Sequence, residues 1–282
     1  MRPLFSIQGR NDAPTGCTLA QPNFRRQLNQ NNVALRIPTP LFGVGFVENT
    51  SDQTLRASFE ATAAERARLG IAGRFNTNGN DQTITRFGWK AQDKSLLLFA
   101  GEAANVEMGV TNDLFPPMNG SPAAIATSMN CRKTRPTSFR LPRLAAGSAG
   151  NDASLVSSNI SNFVTFMRLN AAPSQCAFDS GVDSTGAALC TPLASSRNAA
   201  SIADGQARFE AVGCAFCHTE TLMTGPSPFQ SLDNAVYHPF SDFALHDMGH
   251  GLADGVVQGA ASGGEFRTAP LWGRRPESVL SA

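Results

Sequence analysis

The five residues Cys214-Ala-Phe-Cys217-His218 carry the clearest chemical signal in the sequence. Two thiols three apart on a helical turn can each add across one vinyl group of a haem. A histidine directly after the second thiol then lies under the iron as its proximal ligand. With six cysteines and four histidines in 282 residues, such a pattern arises by chance about 0.002 times per chain. Two other chemistries use closely spaced thiols. A structural metal clip needs further ligands, and His246 and His250, four apart, could offer two, although Gly249 weakens a helix between them. A redox dithiol should follow a strand and open a helix, whereas this pair stands at a helix's end. Covalent haem fits the local pattern best.

The second axial position stays open. A carrier cytochrome closes it with sulfur or imidazole, and an enzyme leaves one iron open to small molecules. Met223 lies five residues past His218, too near to cross to the opposite haem face. Met248, His246 and His250 are far enough along, and are equally readable as polar or packing residues in a turn. The other cysteines, Cys17, Cys131, Cys176 and Cys190, are scattered through Gly/Ser/Pro-rich sequence. In an oxidising compartment they could form two disulfides, with three possible connectivities; in a reducing one they are small apolar residues. The haem reading favours the first, because c-type haem is attached outside the cytoplasm.

The elements that must position the motif are mostly helical. Ala57–Leu69 is rich in helix formers and stops at Gly70. Lys94–Ala104 places Leu96, Phe99, Ala100 and Ala103 at helical spacing after a cap at Asp93. Leu155–Leu169 is amphipathic through Val156, Ile160, Phe163, Val164 and Met167. Ser201 opens the helix that leads to the motif, with Asp204 completing an approximate capping box, and Gly213 ends it. Residues 1–50, 116–153 and 170–200 read as irregular, with Pro38 and Pro40 interrupting any regular element and Asn78-Gly79 marking a turn. The predicted class is mainly α, with long irregular loops and little strand.

Composition bounds the partners. A hydrophobic content of 41%, a charged content of 16% and a net charge of +1 describe a folded chain with no electrostatic case for nucleic acid or a membrane surface. No apolar run is long enough to span a bilayer. The first residues, MRPLFSIQGRND, lack the apolar stretch and small-residue cleavage site of a signal peptide.

Seven segments, in order, resemble the bacterial di-haem cytochrome c peroxidase superfamily, and most closely its thiol oxidoreductase-like, di-haem oxidoreductase branch. They are RIPTPLFGVGFVE, RFGWKAQ, AANVEMGVTNDLFP, FVTFMRLNAAP, ARFEAVGCAFCHT, SDFALHDMGHGLAD and EFRTAPLWG. The resemblance implies two cytochrome c-like domains, here an incomplete one over residues 1–195 and a haem domain over 200–282. It implies haem c bound covalently by Cys214 and Cys217 with His218 on the iron, one haem on this chain and a second in the intact family member. In such enzymes the N-terminal haem is the peroxidatic one and the C-terminal haem feeds it electrons. By the same resemblance Trp89 is an inter-haem relay and Glu107 a distal acid–base. Arg267 is a candidate partner for a haem propionate.

The implied function is haem-based electron transfer coupled to a peroxidase-type oxidation, with a small redox protein as partner, hydrogen peroxide as oxidant and a periplasmic location. The rivals are a non-catalytic electron carrier and a structural metal-clip protein. The chain departs from the family pattern in having one CxxCH where two are expected. It also stops before the region that usually completes the second domain. The expectation is therefore a fragment of a periplasmic di-haem oxidoreductase.

Overall fold

In a computed structural model of the protein, residues 23–30, 33–34, 36–107, 112, 114–115, 159–173 and 199–272 are described. Among these residues the chain is mainly helical, as predicted, with seven α-helices against four strands of two or three residues. The helices are α1 (Phe24–Asn29), α2 (Val44–Glu48), α3 (Asp52–Ala61), α4 (Ala63–Arg68), α5 (Leu96–Val106), α6 (Asn159–Leu169) and α7 (Ala199–Ala211). The strands β1 (Leu222–Met223) and β2 (Val236–Tyr237) form one antiparallel pair, and β3 (Leu245–Asp247) and β4 (Glu265–Arg267) another. No described helix is long and apolar enough to cross a membrane. The four cysteines outside the CxxCH motif lie outside the described residues, as do residues 116–153 and most of 170–200.

The chain divides into two compact units, residues 1–37 with 95–166, and residues 38–94 with 167–282. In the first unit α5 starts where the Ser95 hydroxyl accepts from the Leu98 N–H at 3.2 Å. The cap is thus Ser95 rather than Asp93, because the serine is extended and one turn short of the amide it serves. Leu96, Ala100 and Ala104 are buried along one face of the helix. Asn112 holds the chain after it, donating from Nδ2 to Gly101 O at 2.9 Å.

The second unit contains the motif and much of the core. The single helix predicted for Ala57–Leu69 is two helices with a break at Thr62. The break has a physical cause: Arg66 reaches back, donating to Phe59 O at 2.6 Å and to Thr62 Oγ1 at 3.2 Å, with its guanidinium 3.5 Å over the Phe59 ring. It satisfies the Phe59 carbonyl, which a continuing helix would use. Asp52, in the first turn of α3, accepts from Ile84 N at 2.7 Å and pairs with the buried Arg86. Tyr237 stacks on Phe46 at 5.4 Å and shares a 2.7 Å hydrogen bond with Thr50. Burial drives its phenol well above the usual tyrosine range.

Lys90 is 0% exposed, yet it is paired rather than reactive. Its ammonium donates to the carbonyls of Ser262 and Glu265 at 2.8 Å each, lies 3.1 Å from Asp254 and sits 4.0 Å over the Phe266 ring. A lysine so enclosed staples the β3–β4 hairpin to residues 88–91. Nearby, Arg74 bonds Glu265 with two nitrogens at 2.7 Å, holding that carboxyl down at about 2.

Candidate haem attachment site

Helix α7 delivers the motif. It begins at Ala199, so Ser201 lies inside its first turn; the capping box does not form, and Asp204 pairs with Arg208 at 2.8 Å. Gly213 then takes φ +85°, a left-handed conformation that only glycine adopts cheaply, and turns the chain into a 3₁₀ turn at Cys214–Phe216. The His218 N–H donates to Cys214 O at 2.9 Å and the Cys217 N–H to the same oxygen at 3.3 Å. The two thiols and the imidazole therefore ride on one compact turn. Cys214 and Cys217 are half-buried and not joined in a disulfide.

His218 has a defined protonation pattern. Its Nδ1 is 2.7 Å from Phe240 O, a group that can only accept, so Nδ1 carries the hydrogen. In the neutral ring the lone pair is then on Nε2, which bonds to no described residue, while Phe209 packs edge-on to the ring at 6.2 Å. A backbone carbonyl that fixes the tautomer and raises the basicity of the other nitrogen is the usual support of a metal-binding imidazole. The donor set fits a covalently held haem: two thiols outside any disulfide and an imidazole with its metal-side nitrogen unengaged.

The segment Pro239–Ala244 forms a clamp around the motif. Beyond the Phe240 carbonyl, the Ser241 N–H donates to Thr219 O and the Asp242 N–H to Cys217 O, both at 2.9 Å. To present these groups the backbone takes positive φ at Phe240 (50°) and Phe243 (56°). Bulky residues there cost about 1–3 kcal/mol each and persist only where the surroundings insist. The surroundings are β4 and its continuation. Ser241 Oγ donates to Thr268 O at 2.7 Å, Thr268 N–H to Ala244 O at 2.9 Å, and Leu271 N–H to Pro239 O at 3.0 Å.

Asp242 and His246 complete the clamp. His246 is 7% exposed, and its two ring nitrogens face two acceptors, Asp242 Oδ2 and Ala72 O, each at 2.9 Å. Both nitrogens must carry hydrogen, so the ring is an imidazolium. Burial works against that charge, but the hydrogen bonds to Asp242 and Cys217 and the negative charge of the Asp242 carboxylate outweigh it and hold His246 up at about 10. Gly73 admits the ring, since a Cβ there would lie 2.6 Å from His246 Cε1.

This geometry changes the ligand candidates. His246 has no lone pair to give an iron, so it is not an axial ligand in this arrangement. It lies in strand β3 rather than a helix, so it and His250 share no helix face, and the two-histidine metal clip is not assembled. Cys217, Asp242 and His246 do cluster. The thiol, however, sits against Nδ1 at 3.9 Å and the carboxylate against Nε2, on opposite edges of the ring. Met223 lines a surface cavity of about 490 Å³ with Ala57, Leu222 and Val236, and Met248 is exposed.

Trp89 and Arg267 meet at the β3–β4 hairpin. The Arg267 N–H donates to Trp89 O at 2.9 Å, its Nε donates to Gly88 O at 3.0 Å, and the Trp89 ring packs edge-on to Phe266 at 6.2 Å. No described carboxylate pairs with the half-buried Arg267, and burial pulls it down to about 10. Glu107, at the C-cap of α5 in the other unit, is exposed. Phe240, Ser241, Asp242 and Thr268 carry the clamp without having been singled out from sequence. Asp242 and His246 are four apart, a spacing that suggests a helical pair when the residues in fact turn from a loop into a strand.

The family described as di-haem oxidoreductase, putative peroxidase, matches residues 1–278. No curated protein and no solved structure matches the chain.

Proposed function

The chain belongs to the di-haem oxidoreductase, putative peroxidase family, and from that premise we propose that residues 200–282 form a c-type haem domain that passes electrons to a peroxidase-type reaction. The observation that carries the proposal is the 2.7 Å contact between His218 Nδ1 and Phe240 O. It leaves Nε2 as the donor of a turn that already presents two thiols. Cys214 and Cys217 would supply the thioether links and His218 the proximal nitrogen. When bound, haem supplies one-electron redox chemistry and, with an open axial position, reaction with peroxide.

The remaining assignments follow from what each side chain can do. Arg267, a half-buried guanidinium with no described carboxylate, suits an anionic propionate. Trp89 is its backbone neighbour and would serve as an electron relay. Glu107, exposed at the end of α5, is the carboxylate proposed to move peroxide protons at the other haem, where heterolysis of the O–O bond needs a positioned acid–base. A small redox protein is the proposed electron partner and the periplasm the proposed location. The rival, a carrier without catalysis, shares the haem site and differs only in peroxide turnover.

Expression with a haem-ligation system and export tests the haem assignment. The reading expects a c-type haemochrome spectrum in the wild-type chain and its loss in the double variant Cys214→Ala/Cys217→Ala. Survival of the covalent signal in that variant would overturn it. Peroxide turnover measured with an artificial electron donor then separates oxidoreductase from carrier.

A further inference from the structure

We propose that Asp242 is a positioning residue for His218, acting through the Pro239–Ala244 clamp to fix both the orientation of the ring and the identity of its protonated nitrogen. The inference rests on the reading of His218 as the proximal ligand, and it adds a device that sets how strongly that ligand donates.

Asp242 touches the motif and its anchor at once. Its N–H holds Cys217 O at 2.9 Å, its Oδ1 accepts from Ala244 N at 2.9 Å, and its Oδ2 holds His246 Nε2 at 2.9 Å. His246 is in turn tied to Ala72 O, on the chain that follows α4. Asp242 therefore links, through its backbone N–H, the residue before His218 and, through its carboxylate, the anchor at His246. Phe240 O, the acceptor for His218 Nδ1, lies two residues upstream in the same loop.

That loop cannot hold its shape unaided. Phe240 and Phe243 flank Ser241 and Asp242 with positive φ, and strained bulky residues relax when the contacts that impose the strain are removed. Two side chains impose it here. Ser241 Oγ bonds Thr268 O and accepts from Phe243 N at 3.0 Å, and the Asp242 carboxylate bonds Ala244 N and His246. Removing the carboxylate leaves one anchor of two. Phe240 O then loses its fixed position, and His218 loses the partner that makes Nδ1 the protonated nitrogen. A weaker Nδ1–H···O=C bond makes Nε2 a poorer donor, which favours the reduced iron and raises the potential.

The test uses the full chain as wild type, Asp242→Ala and His246→Gln, with Leu55→Ala in α3 as a control for general loss of stability. In the haem-loaded proteins the midpoint potential should shift positive in Asp242→Ala, and less in His246→Gln, at equal covalent haem content. Leu55→Ala should leave it unmoved. In the chain without haem, nitrogen-15 correlation spectra should show His218 as the Nδ1–H tautomer in the wild type and a mixture in Asp242→Ala. Unchanged potential and unchanged tautomer in both clamp variants would overturn the proposal. If Asp242→Ala does not fold, His246→Gln decides it by the same two measurements. Failure of the haem reading itself would appear as absence of covalent haem in the wild type, and the tautomer measurement would still decide the role of Asp242.

Discussion

His218 and Glu107 are both marked by the resemblance, one for the iron and one for peroxide protons, and their surroundings could hardly differ more. Around His218 the backbone of Cys217 and Thr219, the imidazole and the clamp loop are bonded to one another and to Thr268, just after β4. Two phenylalanines accept strained backbone angles to make this possible. Glu107 stands exposed where α5 ends, its N–H bonded to Ala103 O. The difference teaches where the chain has preorganised its chemistry. The CxxCH turn is built into the packing of its own unit, and the carboxylate is presented on a surface.

Breaking the built region should have the largest effect. Lys90→Met would remove the cation shared by Asp254 and the carbonyls of Ser262 and Glu265, and we expect a loss of about 3–5 kcal/mol, read as a lower denaturant midpoint in urea. If the hairpin is as coupled to the motif as the Thr268–Ser241 bond suggests, covalent haem yield should fall with it.

A pH titration sharpens the same point. The folded-state value of His246, about 10, lies above its ordinary 6.5. Its contribution is therefore complete below about pH 6.5 and fades as pH rises through about 10. Denaturation midpoints measured across that window should decline, by on the order of a few kcal/mol. Part of the rise depends on Cys217, whose sulfur can carry no negative charge once it is a thioether. A haem-loaded protein should accordingly show a smaller decline.

Ser241→Ala removes two hydrogen bonds of the clamp and should cost about 1–2 kcal/mol in thermal or urea denaturation. The smallest effect is expected at Glu107→Gln, where stability should stay within about 0.5 kcal/mol of wild type. A drop in peroxide turnover with that stability unchanged would support the acid–base assignment. Unchanged turnover would remove Glu107 from it.

Much of the helical content was legible because it depends on neighbours in sequence. The apolar spacing of α5 and α6 was visible, as were the left-handed stops at Gly70 and Gly213. Helix ends were less so. Thr62 breaks a run of good helix formers because Arg66 folds back onto Phe59, and Ser95 displaces Asp93 as a cap through a local backbone angle. The segment around His246 was the larger surprise. Its i, i+4 spacing and flanking glycines carried no sign that it would pair as a strand with Glu265–Arg267.

The sequence by itself determined the reactive set: two thiols and an imidazole within five residues, spaced for two thioethers and one axial bond, since covalent reach is a local property. The resemblance also drew in SDFALHDMGHGLAD and EFRTAPLWG, without placing them against the motif. Only the tertiary structure decided which nitrogen of His218 carries the hydrogen, because that depends on a carbonyl 22 residues away. It likewise decided that both ring nitrogens of His246 face acceptors. Its two acceptors, Ala72 O and Asp242, come from segments 174 and four residues distant, and only folding brings both to one ring.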